Sequence, residues 1–290
     1  MPVMLNDYLR EKYGCKVYKI ALNANVTCPN RDGTIGDRGC IFCSQGGSGE
    51  FAPDKNIPIK EQIEIAKKRV SSKIKSGKYI AYFQSFTNTY GSIEYLRKIY
   101  YQAIRDDDIV GISIATRPDC LEKEVIILLD EVNRIKPVWI ELGLQTIHEK
   151  SIEYIRRGYD MNCFDEAIEK LREINVGIIV HVILGLPGET EEDTIETIRY
   201  VSNNKIDGIK LQMLHILKGT DLAEEYWAGK VKVFEPEEYV ELVKKCIKLL
   251  PEKMVIHRVT GDGPKNLLIA PKWSGDKKRV LNLLAFLRQN

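Results

Sequence analysis

Apolar residues fall along this chain in two alternating patterns. Short runs rich in Val, Ile and Tyr occupy 17–23, 79–83, 110–115, 138–144, 177–184 and 209–214, with a weaker one at 254–259. Runs of that length between polar turns read as buried strands. Between them, apolar residues recur every three or four positions, which places them on one face of a helix. Residues 60–76 carry Ile63, Ile65, Ala66, Val70 and Ile74 in this way, and 93–105, 121–133, 163–174, 191–201 and 236–250 behave similarly. End signals agree with the periods. Asn162 precedes one helix as an N-cap, Thr190 with Asp193 forms a capping box, and Pro236 stands in a first turn.

Strand, helix, strand repeated about six times calls for an α/β fold with a parallel sheet. Right-handed crossovers place the helices on one side if that sheet curls. An open doubly wound sheet and a full or partial β/α barrel both satisfy the pattern. In either, ligands bind where strands end. Cys28 follows the first strand, Gln84 the second, Arg117 the third and Gln145 the fourth. Gly185 and Pro187 follow the fifth, and His215 the sixth. One rim is therefore expected to carry the site. Six units favour a partial (β/α)6 barrel over residues 1–250, with 251–290 as a short C-terminal extension packing on that core.

Composition narrows the class. The 290 residues are 44% hydrophobic, enough for one large core, and the formal charge of +2 excludes a global basic field. Local basic clusters remain at Lys67, Lys68 and Arg69 with Lys73, Lys75 and Lys78, and at Lys272 with Lys277, Lys278 and Arg279. The first reads as an ordinary solvated helix face. The N-terminal segment has no apolar region of signal-peptide type, and no run is long enough to cross a membrane. A soluble cytoplasmic protein with no membrane partner is expected.

Three of the seven cysteines cluster at Cys28, Cys40 and Cys43. In a reducing compartment that points to metal or catalysis rather than disulfides. Cys40 and Cys43 have the gap that lets two thiolates grip one centre, and Gly33, Gly36 and Gly39 let the intervening loop fold back. Thiolates suit zinc and iron–sulfur clusters alike. Structural zinc wants four closed ligands. No second CxxC is present, and the nearest unused cysteine, Cys15, precedes the first strand. Three cysteines on four irons would leave one iron open. Cys120, Cys163 and Cys246 read as buried thiols.

Three cysteines after a first strand, with Phe42 before the last, resemble the signature of the radical SAM superfamily. The first gap of eleven residues is wider than the superfamily's usual spacing. It resembles the YhcC/YtqA-like radical SAM family, related to the catalytic subunit of Elongator. The likeness rests on Cys28-Pro-Asn-Arg-Asp-Gly, Gly39-Cys40-Ile-Phe-Cys43, Tyr82-Phe83-Gln84 and Thr87-Asn88-Thr89-Tyr90. It continues through Glu141-Leu-Gly-Leu-Gln145-Thr, Arg157-Gly-Tyr-Asp, the run from His181 to Thr190, and Arg258-Val-Thr-Gly-Asp262.

The resemblance implies a radical-SAM-type partial barrel. Cys28, Cys40 and Cys43 would hold a [4Fe–4S] cluster, and S-adenosylmethionine (SAM) would bind its open iron and be cleaved reductively to a 5′-deoxyadenosyl radical. It implies cofactor contacts from Phe42, Gln84, Glu141, Gln145, Arg157, Ile183 and Gly185. Several have a second reading. Gln84 can close a turn, Glu141 can balance a buried Lys or Arg inside the barrel, and Arg156 can replace Arg157 at the methionyl carboxylate. Substrate contacts are expected from His181, His215, Lys218 and Arg258, with Asp262 nearby; His181 alternatively is a satisfied core residue. The length leaves no room for the acetyl-transfer domain of the Elongator relative.

The implied function is modification of a tRNA wobble uridine, taking a carboxymethylaminomethyl side chain to aminomethyl. A tRNA substrate and an electron donor such as flavodoxin or ferredoxin follow as partners. Tyr82, Tyr90 and Trp273 offer rings for stacking on bases. Radical SAM chemistry on a small metabolite or peptide is the second enzyme reading, and a zinc-stabilised RNA-binding module is the non-enzyme one.

Overall fold

The computed structural model describes residues 2–73, 76–261 and 263–288. Its elements begin with β1 (Val3–Met4), α1 (Leu5–Tyr13), β2 (Val17–Leu22), α2 (Ile59–Val70), β3 (Lys78–Phe83), α3 (Ile93–Ile104), β4 (Ile109–Thr116) and α4 (Lys123–Asn133). They continue with β5 (Val138–Gln145), α5 (Glu149–Tyr154), α6 (Met161–Glu173), β6 (Gly177–Leu184), α7 (Glu191–Asn203), β7 (Gly208–Met213), β8 (Ile216–Leu217) and α8 (Asp221–Trp227). The chain finishes with α9 (Pro236–Lys248), β9 (Val255–Arg258), β10 (Leu268–Ala270) and α10 (Lys277–Leu283).

Eight strands form one sheet in the order β1-β9-β7-β6-β5-β4-β3-β2. Every pairing in it is parallel. The partial barrel thus carries the six expected strands and two more, the weakly signalled β9 and the short β1. Two residues of β1 show no period, so its pairing with β9 was invisible in the sequence. β8 and β10 make a separate antiparallel pair.

The sheet is curled. Lys19 Nζ on β2 lies 2.6 Å from Glu141 Oε1 on β5 and 3.3 Å from His257 Nδ1 on β9. Those strands are three and six steps away in the sheet order, roughly 14 and 29 Å in a flat sheet. The side chains meet because the inner face closes on itself.

Residue alternation sorts the two faces. The outer face, with Ile20, Phe83, Ile112, Ile140, Val180 and Leu211, packs with the helices into the main core. The inner face starts with an apolar plug of Leu9, Val17, Ile80, Trp139 and Ile179. A Cβ on Gly111 or Gly177 would come within 2.7 or 2.5 Å of the Trp139 ring, so both glycines make room for that indole. Leu9 brings α1 under this end. Two residues further along each strand, the inner face turns polar.

Some helix boundaries moved. α2 stops at Val70, and Ile74 and Lys75 lie outside the described residues. The capping box of Thr190 and Asp193 is present, and Pro236 opens α9. At α6 the cap is Asp160 rather than Asn162: its carboxylate accepts the Cys163 N–H at 2.9 Å, two residues earlier than the apolar pattern placed it.

Candidate functional site

The segment between β2 and α2 holds the three clustered cysteines. Its backbone turns on itself: Arg31 N–H donates to Cys28 O, Ile35 N–H to Pro29 O, Gly39 N–H to Asn30 O and Cys43 N–H to Cys40 O. Gly39 has φ +74°, and a Cβ there would stand 2.8 Å from Arg31 Nε. Its absence lets the guanidinium pass through to donate to Cys43 O and Ser44 O, both at 2.7 Å. Asn30, nearly buried, donates to Arg156 O at 2.6 Å and lies 3.5 Å from Cys40 Sγ. Ile41 N–H bonds Ile155 O, and Leu222 N–H bonds Ile41 O. The CxxC turn is therefore fastened through Ile41 to the end of α5 and the start of α8.

These residues fit an iron–sulfur cluster. Burial pushes the Cys40 thiol up to about 12, with Cys43 adding to it against Arg117. Burial also raises Cys43, against Arg31. Thiolate ligation at such sulfurs needs the positive charge of bound metal. Among the described residues, the His/Cys/Asp/Glu group with ligand atoms all within 4.8 Å of one another is His148, Asp193 and Glu196; the three cysteines are more widely spread. One tetrahedral zinc would draw thiolate sulfurs to roughly 3.8 Å. Three spread thiolates suit a multinuclear centre with one position open.

Phe42, Gln84, Ile183, His215 and Arg258 come together around a cavity of about 120 Å³ beside this loop. Gln84 also ties the loop to β3, donating to Ser48 O at 2.6 Å. His215 lies 3.1 Å from Ser274 Oγ. Gln145 ends β5 at φ +62°, unusual for a side chain with a Cβ, and turns its amide over the Gly143 and Leu144 carbonyls.

Other expected residues are drawn elsewhere. Every N–H direction of the buried Arg157 guanidinium meets a protein atom: Nη1 donates to Leu144 O and Thr146 O, while Nε and Nη2 donate to Tyr159 O and Nη2 also reaches Met161 Sδ. Arg157 secures the end of β5 rather than reaching a methionyl carboxylate. Arg156 pairs with Asp221. Gly185, at φ +89°, gives the space of a Cβ to Phe234, whose ring a Cβ would meet at 2.5 Å. Lys218 is exposed after β8. Asp262 lies outside the described residues.

Glu141 takes its second reading. Its carboxylate is buried on the inner face and accepts from Lys19 and Ser113 on one oxygen, and from Lys210 and His181 on the other. Ribose or methionyl groups find no unused side of it. Burial would raise its pKa, but Lys19, Lys210 and the His181 N–H overcome that and hold it well below the usual range. His181 is satisfied on both sides: Gln212 lies 3.0 Å from Nδ1, and Glu141 is 2.7 Å from Nε2. Burial first, then repulsion from Lys210, brings His181 down to about 4. Burial likewise lowers Lys210 to about 7, despite Glu141.

This polar layer opens onto a larger cavity of about 810 Å³, at the gap between β2 and the segment after β9. Glu50, Phe51, Gln84, Arg258, Gly261 and Gly263 line both cavities. Arg69 and Lys73 stand on one lip, Lys265 and Lys277 on the other, and Lys19, Lys210 and Arg258 lie deeper; among the described residues of the lining, Glu50 is the acid. The first basic cluster is thus divided. Lys67 and Lys78 pair with Asp106 and Asp108, whereas Arg69 and Lys73 turn to the cavity. Tyr18 and Phe51 are its outer rings, and Tyr82 is an inner wall. Trp273 is packed against Tyr239 and donates to Phe234 O, and Tyr90 is bonded to Thr34. Sequence reading passed over Lys19, Lys210, His257, Tyr18 and Phe51. Lysines within apolar strands at 17–23 and 209–214 were the available signal.

The family model of the Radical SAM superfamily matches residues 30–201, and that of the Radical_SAM C-terminal domain matches 206–286. Protein YtqA of Bacillus subtilis is 45% identical over 97% of this chain and 87% of its own length. The tRNA uridine(34) acetyltransferase of Methanocaldococcus jannaschii is 27% identical over 67% of this chain, which spans 35% of that protein. The solved structure of Methanocaldococcus infernus Elp3 matches with TM-score 0.70 at 17% identity, over 94% of this chain and 62% of that one. It shares the fold, a curled parallel half-barrel.

Proposed function

The chain belongs to the radical SAM superfamily, and from that premise we propose that it modifies a wobble uridine in tRNA, removing the carboxymethyl group from a carboxymethylaminomethyl side chain to leave aminomethyl. It is a radical SAM enzyme whose cofactors are a [4Fe–4S] cluster and SAM. When bound, they would supply a 5′-deoxyadenosyl radical for hydrogen abstraction at the carboxymethyl CH2, with the first electron coming from an external donor such as flavodoxin or ferredoxin. Return of the remaining electron to the cluster would leave an imine that water hydrolyses, so the two carbons leave as glyoxylate. Cys28, Cys40 and Cys43 hold the cluster, and the cavity lined by Phe42, Gln84 and Ile183 adjoins it.

The observation that carries the RNA reading is the large cavity. Two basic segments about two hundred residues apart in sequence, at Arg69 and Lys73 and at Lys265 and Lys277, face each other across it with Tyr18 and Phe51 between. Cationic lips with aromatic side chains suit a single-stranded nucleic acid, whose phosphates and bases need both. Similarity to the tRNA uridine(34) acetyltransferase, which the chain matches over 67% of its own length, supports a uridine in tRNA as the target.

The test uses protein purified without oxygen and reconstituted with iron and sulfide, then given SAM, reductant and undermodified tRNA. 5′-Deoxyadenosine release together with loss of the carboxymethyl mass from the wobble nucleoside is expected. No tRNA binding at low salt and an unchanged nucleoside would sink this reading.

A further inference from the structure

Two side chains of the segment between Cys28 and Cys40 reach across to the CxxC turn. Asn30 is 5% exposed. Its Nδ2 donates to Arg156 O at 2.6 Å, and because that carbonyl only accepts, the NH2 end of the amide faces it. The same nitrogen donates its second N–H to Cys40 Sγ, 3.5 Å away. A Cβ on Gly36 would stand 2.7 Å from Asn30 Oδ1, so that glycine leaves the amide its place. Arg31 passes Gly39 in the same way and donates to two carbonyls, Cys43 O and Ser44 O. Carbonyls carry no formal charge, so these bonds leave the guanidinium its full unit beside the turn. Other arginines near the loop are matched by carboxylates: Arg38 and Arg156 pair with Asp221, and Arg117 pairs with Asp119. Burial raises the Cys43 thiol, and Arg31 is the strongest influence against it.

We propose that Asn30 and Arg31 set the reduction potential of the cluster, raising it so that an external donor can deliver the electron. Such potentials follow net charge and hydrogen bonds to the sulfurs. An oxidised [4Fe–4S] core carries two positive charges, three thiolates bring the site to one negative, and the incoming electron makes a second. An N–H aimed at the Cys40 sulfur and a cation beside Cys43 both favour the more negative state. Hydrogen bonds to ionised acceptors are the stronger ones, and a charge set in a partly dry loop is screened less than one in water. Both residues act through the cluster's charge rather than on the substrate, which makes them positioning residues. If they served only to fold the loop, their loss would cost iron and leave the potential of any loaded cluster unchanged. The assignment rests on the ligand set above and is independent of the RNA reading.

An EPR-monitored redox titration of the reconstituted full chain measures the potential, with iron content determined in parallel. Arg31→Gln and Asn30→Ala should each lower the reduction equilibrium constant about tenfold, a shift of about 59 mV for one electron. Arg31→Lys keeps the charge and should retain most of the wild-type value. Arg38→Gln removes an exposed, paired charge from the same loop and should not move it. Iron-loaded Arg31→Gln and Asn30→Ala at the wild-type potential overturn the proposal. An equal fall in Arg31→Lys and Arg31→Gln, or no iron in Arg31→Lys, overturns the role of charge and assigns Arg31 to the fold of the loop. Should Asn30→Ala fail to load, the unaltered protein decides. With nitrogen-15 in its asparagine side chains, the reduced cluster should show a nitrogen-15 coupling in pulsed EPR, and the lack of one overturns the bond to sulfur. Iron retained by Cys40→Ala would remove the ligand set itself, a failure distinct from unchanged potentials in loaded variants.

Discussion

Lys210 Nζ sits 4.4 Å from the centroid of the Tyr82 ring and 3.1 Å from its hydroxyl. β7 and β3 are four pairings apart in the sheet. The contact runs across the barrel, through the layer where Glu141 gathers its donors. This layer separates the apolar plug around Trp139 from the rim that carries the cysteine loop. It explains why apolar strands carry Lys19, Glu141, His181 and Lys210 at positions that face inward.

Removing the hub charge should be severe. Glu141→Gln leaves two lysines in the barrel with no carboxylate. A loss of about 3–5 kcal/mol is expected, as for one partner removed from a buried ion pair. Urea unfolding monitored by circular dichroism measures it; a loss below about 1 kcal/mol would show that the lysines relax into solvent.

Acid should destabilise the fold in a defined window. His181 has a folded value of about 4 against 6.5 when unfolded. Between those values the unfolded chain binds the extra proton, so stability rises with pH from about 4 to 6.5. Lys210, about 7 against 10.5, acts in the same direction between about 7 and 10.5. Glu141, held low, contributes stability that is lost as pH falls below the carboxylate range. His181→Gln should lessen the slope of the first window, to which the buried His257, also held well below its usual range, contributes as well, while leaving the second. Unfolding midpoints measured across pH check the slopes.

Cysteine variants should divide cleanly. Cys28→Ala, Cys40→Ala and Cys43→Ala are each expected to lose bound iron and all SAM cleavage. Cys163→Ala, beyond the loop at the first turn of α6, should keep both. Iron analysis and 5′-deoxyadenosine release after reconstitution read the two outcomes, and iron retained in all three loop variants would contradict the ligand set.

The cavity lips should act as an electrostatic pair although they are far apart in sequence. Arg69→Gln and Lys277→Gln should each weaken tRNA binding about uniformly across sequences and reduce the salt slope by about 1. Lys67→Gln, whose ammonium pairs with Asp106 and Asp108, should leave the slope unchanged. Binding titrations at several salt concentrations distinguish them.

The plug offers a packing control. Trp139→Ala should cost about 3–5 kcal/mol, because Gly111 and Gly177 leave a space that only the indole fills. Thermal unfolding of the variant measures the loss.

The sequence by itself determined the repeating units and the rim, and singled out the three loop cysteines as candidate cluster ligands. Strand and helix periods are local properties, and ligands at strand ends follow from the topology they imply. The cysteines were legible because metal chemistry demands a particular residue at particular spacing within one loop. It also posed alternatives at Gln84, Glu141 and His181, inclining to a cofactor role for Glu141 and to a core role for His181. Only the tertiary structure decided those choices, because they depend on which side chains stand opposite. Glu141 became a buried counterion once curling brought Lys19 and Lys210 to it from β2 and β7. Arg157 was drawn to the carbonyls at the end of β5. Lys73 and Lys277 became neighbours across one cavity because the curled sheet brings its β2 edge round to the segment after β9, and no local period encodes the approach of segments so distant in the chain.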